Sequence, residues 1–353
     1  SLSSGGDTVA IGAYQNDDNG AESGHVRIYE YSTGSWAQLG ADIDGEAAYD
    51  YSGHSVSLSS DGTRVAIGAP ENDDNGTQSG HVRIYEYSAG SWTQLGADID
   101  GEAAGDYSGY SVSLSSDGSR VAIGAVQNDG NGGNGHMSGH VRIYEYSAGS
   151  WSQLGADIDG EVTDDRSGRS VSLSSDGTRV AIGSYDNDDN GTQSGHVRIY
   201  EYSAGSWTQL GADIDGEAAG DYSGGSVSLS SDGTTVVIGA VQNDGNGSEA
   251  GHVRVYSVSG NTAGVNPTSL EYNLQIYPNP TNSYLYIDVP QNMISQSYSM
   301  EIKNSLGQSV YAIALNQPQI QINFNSFRAA GSYTLSIKDS GGIVVNNRVI
   351  IIQ

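Results

Sequence analysis

One phrase is written five times over the first three quarters of this chain. VAIGA begins at Val9, Val65 and Val121, recurs as VAIGS at Val180 and as VVIGA at Val236. GHVRIYEY begins at Gly24, Gly80, Gly139 and Gly195, and returns as GHVRVYSV at Gly251. Successive copies are 56, 56, 59 and 56 residues apart, the long step coming from extra residues within GGNGHMSG at 132–139. So regular a period means one supersecondary unit stacked on copies of itself, because a single copy cannot bury its own apolar face.

Within a copy the apolar period is two. In 55–102, SVSLSS alternates Val56 and Leu58 with serine, and Asp61-Gly62 is a tight hairpin signal. RVAIGA sets Val65 and Ile67 against the small Ala66 and Gly68, and the polar loop PENDDNGTQSG follows. HVRIYEY sets Val82 and Ile84 opposite His81, Arg83 and Tyr85; SAGS turns, and WTQLGADI closes the unit. Helical spacing is absent, and short strands between Gly and Asp turns predict an all-β repeat. Four antiparallel strands per copy predict the blade of a β-propeller. The first three strands occur five times, counting a clipped SLSS at the start, but the fourth, marked by Trp36, Trp92, Trp151 and Trp207, occurs four times. The expectation is an all-β chain: a propeller of about five four-stranded blades over 1–258, the last blade incomplete. Because Ser1 falls inside a repeat, chain preceding it is expected to supply the missing outer strand; otherwise 252–258 is an open edge.

Residues 259–272 read as a linker, and 273–353 change character. LQIYP, YLYIDV, SMEIKN, QSVYAIAL, IQINF, SYTLSI and RVIIIQ are seven short strand-like runs, which predict a small β-sandwich. Charge divides at the same place. Of 14 basic and 42 acidic residues, 265–353 hold four of each, so the whole deficit of 28 sits in the repeats. Such a field repels phosphate backbones and anionic membranes, so no nucleic acid partner is expected, and no apolar run is long enough for a membrane span. With no cysteine, disulfides are excluded.

The segment GEAAGDYSGYSVSLSSDGSRVAIGA, 101–125, followed by GHVRIYEY, resembles the FG-GAP repeats of integrin α-chain heads and many bacterial surface proteins. The resemblance implies a propeller that binds ligands at the cell surface. Two departures stand out: serine replaces the family phenylalanine at Ser52, Ser108, Ser167 and Ser223, and the family calcium loop shrinks to SSDG. The family calcium site is therefore not carried over. The tail, with Tyr-Pro-Asn-Pro at 277–280, NSLGQSVY at 304–311 and AGSYTLSI at 330–337, resembles the C-terminal sorting domain of type IX secretion in Bacteroidetes. That resemblance implies recognition by the secretion machinery, export, and attachment to the outer surface or release.

Propeller topology sends the loop after strand two and the loop after strand four to one rim. That rim collects NDDNG and NDGNG from every copy, and DIDGE with a further aspartate from four copies. Carboxylates so dense, mixed with Asn and Gly, suit calcium, which takes six to eight oxygen ligands. The candidate ligands are Asp17, Asp18 and Asn19, Asp73, Asp74 and Asn75, and Asp188, Asp189 and Asn190; solvated Asx turns are the alternative. The copies otherwise agree, so their differences mark a candidate ligand face: His54, Tyr110 and Arg169 at one equivalent position, Tyr14 and Tyr185 at another, and Arg166 in the fourth copy. His25, His81, His140, His196 and His252 lie one per blade, too dispersed to share an ion, and read as framework; the four Trp read as packing. No nucleophile elbow, zinc-protease or phosphate-loop motif occurs. The expected function is non-catalytic binding or adhesion to a protein or glycan, against the alternatives of a propeller hydrolase or a structural surface spacer.

Overall fold

The computed structural model describes residues 1–130, 136–245, 247–258, 275–277, 284–289, 294, 298–304, 308–323, 331–338 and 344–352; the expected linker, 259–272, lies outside them. The chain divides into two units, Ser1–Thr262 and Ala263–Gln353. In the first unit each copy of the repeat forms one antiparallel sheet, and the sheets are the blades of a propeller. The first blade contains β1 (Thr8–Ala13), β2 (His25–Ser32), β3 (Ser35–Gln38) and β4 (Ile43–Asp44), with its innermost strand reduced to a Leu2–Val9 bridge. The second contains β5 (Ser55–Leu58), β6 (Arg64–Ala69), β7 (His81–Ser88), β8 (Ser91–Gln94) and β9 (Ile99–Asp100). The third and fourth repeat that pattern, and the fifth has three strands, Ser223–Leu229, Thr235–Ala240 and His252–Ser257. Among the described residues this last blade has no outer strand.

The expected fourth strand differs in detail. WTQLGADI is two short strands that both pair with β7: β8 with its outer half, Tyr85–Ser88, and β9 with His81 and Val82. Leu95 N–H still donates to Ile84 O at 2.7 Å, the pairing breaks over 96–98, and the Leu95 carbonyl accepts the indole N–H of Trp151 from the next blade at 2.7 Å. Gly96 has φ +82°, and a Cβ there would stand 2.8 Å from Cδ1 of Trp151. Only glycine both adopts that backbone and admits the indole. Trp92 reaches Leu39 and Trp207 reaches Leu154 in the same way, each at 2.7 Å. Trp92, Trp151 and Trp207 are thus clamps between blades.

Burial between blades follows from the alternation. Ala66, Val82 and Ile84 on one face of the second blade pack against Leu114, Val121 and Ile123 of the third, and equivalent clusters join the other neighbours. Small residues let the blades approach: a Cβ on Gly68 would lie 2.0 Å from the carbonyl oxygen of Gly109. At the hairpin rim the SSDG turns join hands. Ser4 N–H donates to Ser60 O, Ser60 to Ser116, Ser116 to Ser175 and Ser175 to Ser231, at 2.8–2.9 Å. The second unit has a three-stranded and a four-stranded antiparallel sheet. Its buried residues include Leu285, Ile287, Met300, Ile302, Ile320, Leu335 and Ile337, the alternate positions that a sandwich requires.

Candidate functional site

The strand sequence HVRIYEY places a histidine at the rim end of the third strand in every blade. His81 opens β7 opposite Asp100 and is 1 % exposed. The loop before it is held by its own side chains. Asn72 Oδ1 accepts the Asp74 N–H at 2.9 Å, Asp73 Oδ1 accepts the Gln78 N–H at 2.8 Å, and Asn75 Nδ2 donates to Gly101 O at 2.7 Å. The first blade repeats this with Asp17 and Asn19, and the fourth with Asp188 and Asn190. In each triplet the middle residue faces the histidine, Asp18 at 3.6 Å, Asp74 and Asp189 at 3.9 Å.

Four carboxylate–histidine clusters result among the described residues. Glu46, Asp74, His81 and Asp98 offer ligand atoms within 4.8 Å of one another, as do Glu161, Asp189, His196 and Asp213. Asp18, His25 and Asp42 form a three-membered version in the first blade, and Glu102, His140 and Asp157 another in the third. The third lacks its loop aspartate because Gly130 stands where Asp74 stands. The glutamate comes from the connection leaving the preceding blade, so each cluster that has one spans a blade boundary. Arg83 crosses the same boundary, donating to Asp44 O at 2.8 Å and lying 3.4 Å from Glu46 Oε1. In the first blade Arg27 turns instead to Asp42 at 2.8 Å.

These groups are not at rest with one another. His81 Nδ1 lies 3.9 Å from both Glu46 Oε2 and Asp74 Oδ2, too far for a hydrogen bond. Neither ring nitrogen of His81, His140 or His196 has a hydrogen-bond partner. Burial, helped by the neighbouring arginine, holds His81 below its ordinary value and pulls His140 and His196 to about 4. The imidazoles are therefore neutral, the form that ligates metal. Burial first, then like charge from Asp98 and Asp74, pushes Asp100 up; Asp159 and Asp215 follow with Asp157 and Asp213. The clusters are thus acidic, short of protons and able to hold a cation. The sequence reading treats the histidines as framework because it asks whether they meet one another; the fixed interval from loop aspartate to histidine to strand aspartate, repeated per copy, is the signal that finds them.

The variable positions form a second feature. The Tyr14 and His54 rings lie 5.7 Å apart, and those of His54 and Tyr110 4.6 Å apart. The Arg169 guanidinium lies 4.6 Å from the Tyr110 ring and 5.1 Å from that of Tyr185. Arg166 donates to the Tyr185 hydroxyl at 3.0 Å, and Tyr222, which sequence reasoning does not single out, adds a ring 5.8 Å beyond Tyr185. A row of aromatic and guanidinium groups, half-buried apart from the exposed Tyr14, therefore runs across consecutive blades, through all six of these residues. Burial lowers His54, so the row's fixed cations are its two arginines.

The FG-GAP repeat model matches residues 40–85, 157–200 and 213–256, and the model described as a secretion system C-terminal sorting domain matches 275–353. No curated protein matches the chain. Solved structures with some likeness include a 6-phosphogluconolactonase-like protein from Bacteroides uniformis, 14% identical over 90% of this chain and 99% of that one, TM-score 0.36. Another is the Pyrococcus horikoshii acylaminoacyl peptidase, 11% identical over 98% of this chain and 50% of that one, TM-score 0.39. A third is PorZ, a surface component of the type-IX secretion system of Porphyromonas gingivalis, 11% identical over 94% of this chain and 56% of that one, TM-score 0.27. Likenesses of that size carry no activity or partner across. No helix among the described residues is long and apolar enough to cross a membrane. The chain carries FG-GAP repeats followed by a type IX secretion C-terminal sorting domain, and its destination is the cell surface or the extracellular space.

Proposed function

We propose that this exported propeller is a non-catalytic binding protein that holds a protein or glycan ligand along the row Tyr14, His54, Tyr110, Arg169 and Tyr185, with Arg166 at its side. The observation that carries the reading is the continuity of the row: Arg169 lies 4.6 and 5.1 Å from two tyrosine rings of neighbouring blades. Framework positions repeat from copy to copy, whereas these differ and still touch. Aromatic faces beside guanidinium groups suit sugar rings and anionic side chains, through stacking and through charge-assisted hydrogen bonds. A hydrolase on this scaffold needs one unique acid–base pair, and the carboxylates here come as repeated sets. The sorting tail supplies the second partner, the type IX machinery that exports the chain.

Calcium belongs to this reading as a brace for the loops flanking the row. The oxygens left free on Asp17 and Asn19, and on their counterparts Asp73, Asn75, Asp188 and Asn190, are the donors it would use, while Asp18, Asp74 and Asp189 face the histidines. The test is binding of the full chain to a glycan array and to protein-coated beads, with calcium and with a chelator. Saturable binding that drops at least tenfold in the doubly substituted Tyr110→Ala, Arg169→Ala chain is the expected result. Undiminished binding by that variant defeats the row, and no saturable binding to either surface favours a spacer.

A further inference from the structure

The histidine clusters are separate from the aromatic row and from an oxygen-only calcium loop, because each puts a nitrogen among its oxygens. We infer that the second and fourth blades each hold a divalent transition-metal ion of the zinc type, bound by Glu46, Asp74, His81 and Asp98 in one and by Glu161, Asp189, His196 and Asp213 in the other. The acidity of the rim does not carry this by itself. His81 and His196 are 1 % and 0 % exposed, both ring nitrogens of each lack a hydrogen-bond partner, and in each case Nδ1 lies 3.9 Å from the loop carboxylate. A buried polar ring left unpaired costs free energy. A fold that repeats the cost in successive blades has a use for the nitrogen.

The geometry and charge select the ion. Ligands on a tetrahedral ion at about 2.1 Å stand about 3.4 Å apart, so the 3.9 Å separations close by about half an ångström. The Asp74 side chain is 61 % exposed and free to make that move. Three carboxylates less the Arg83 guanidinium leave two negative charges beside a neutral imidazole, which a dication cancels. Calcium and magnesium favour all-oxygen cages, whereas an imidazole among carboxylates suits zinc and its neighbours. The three-membered clusters mark the contrast: the first holds Asp18, His25 and Asp42, and the third lacks the loop aspartate because of Gly130. Since Glu46 and Glu161 leave the preceding blade, each ion would tie two blades together.

The experiment uses the full chain, stripped with a chelator and then given zinc, manganese or calcium at fixed ionic strength. Bound metal is counted after desalting and the unfolding midpoint is followed. Two zinc ions per chain retained after desalting and a rise in midpoint of several degrees are expected, with calcium at equal concentration leaving no ion after desalting and giving a smaller rise. The Asp74→Asn, Asp189→Asn chain alters exposed oxygens and keeps the loop's other hydrogen bonds, so it folds; it is expected to lose both ions and the shift. The single variants are each expected to lose one ion. Metal content unchanged in the double variant, equal stabilisation by calcium, or no zinc retained by the native chain overturns the inference. Each of these readings is independent of ligand binding along the aromatic row.

Discussion

At the scale of single residues, the buried histidines set the pH response. His140 and His196 are held at about 4 when folded, chiefly by burial, against about 6.5 in an unfolded chain. Both states are neutral above that higher value, so the folded state keeps its full margin there. As pH falls from 6.5 towards 4 the unfolded chain takes up protons that the folded chain refuses, and stability declines. The loss is on the order of 3 kcal/mol per histidine by the linkage of shift to free energy. Asp159 and Glu161, raised mainly by burial, act in the opposite sense at lower pH. Urea titrations of the metal-stripped protein between pH 7 and 4 isolate the histidine part. Wild type should lose stability over that span more steeply than the His140→Gln, His196→Gln chain, and parallel slopes would contradict the assignment.

At the scale of the element, the split fourth strand is where the sequence was hardest to read. Period two finds strands one to three because each alternates apolar and polar side chains on a continuous ladder. It also runs straight through WTQLGADI, since a break in pairing demanded by a neighbouring blade leaves no trace in the alternation. Gly96 was the one local hint, and its meaning depends on Trp151 arriving from another copy. The same limit hid the carboxylate–histidine clusters, which join a loop, two strands and a preceding connection. The variable positions, by contrast, were legible because internal copies can be compared with one another. The clamp itself makes a clean test, since Trp36 is an unclamped version, 47% exposed on the first blade. Trp151→Phe removes the 2.7 Å bond to Leu95 O and should cost about 1–2 kcal/mol. Trp36→Phe should change stability by less than about 0.5 kcal/mol. Denaturant midpoints at constant m-value decide between these and an equal effect.

At the scale of the whole propeller unit, the end blades show what the inner ones bury. Ile67, Ile123 and Ile182 are at most 1 % exposed, whereas their counterpart Ile11 is 51% exposed; Val253 and Val255, counterparts of Val82 and Ile84, are 67% and 65% exposed. Ile67→Ala should therefore cost about 2–5 kcal/mol through transfer and cavity terms, and Ile11→Ala less than about 1 kcal/mol. Similar losses from both substitutions, measured by urea unfolding, would mean that the first blade's outer face is covered in solution. The serine relay along the hairpin rim gives this architecture a further property. Every link runs from one copy's turn to the next with the same donor, the same acceptor and the same direction, from Ser4 to Ser231. A genetic event that adds or removes one whole copy therefore recreates every such link at the new junction, with no contact to invent. Copy number is the variable that such a gene can change most freely, while the clusters and the aromatic row, which depend on particular neighbours, are what a change in number would reshuffle.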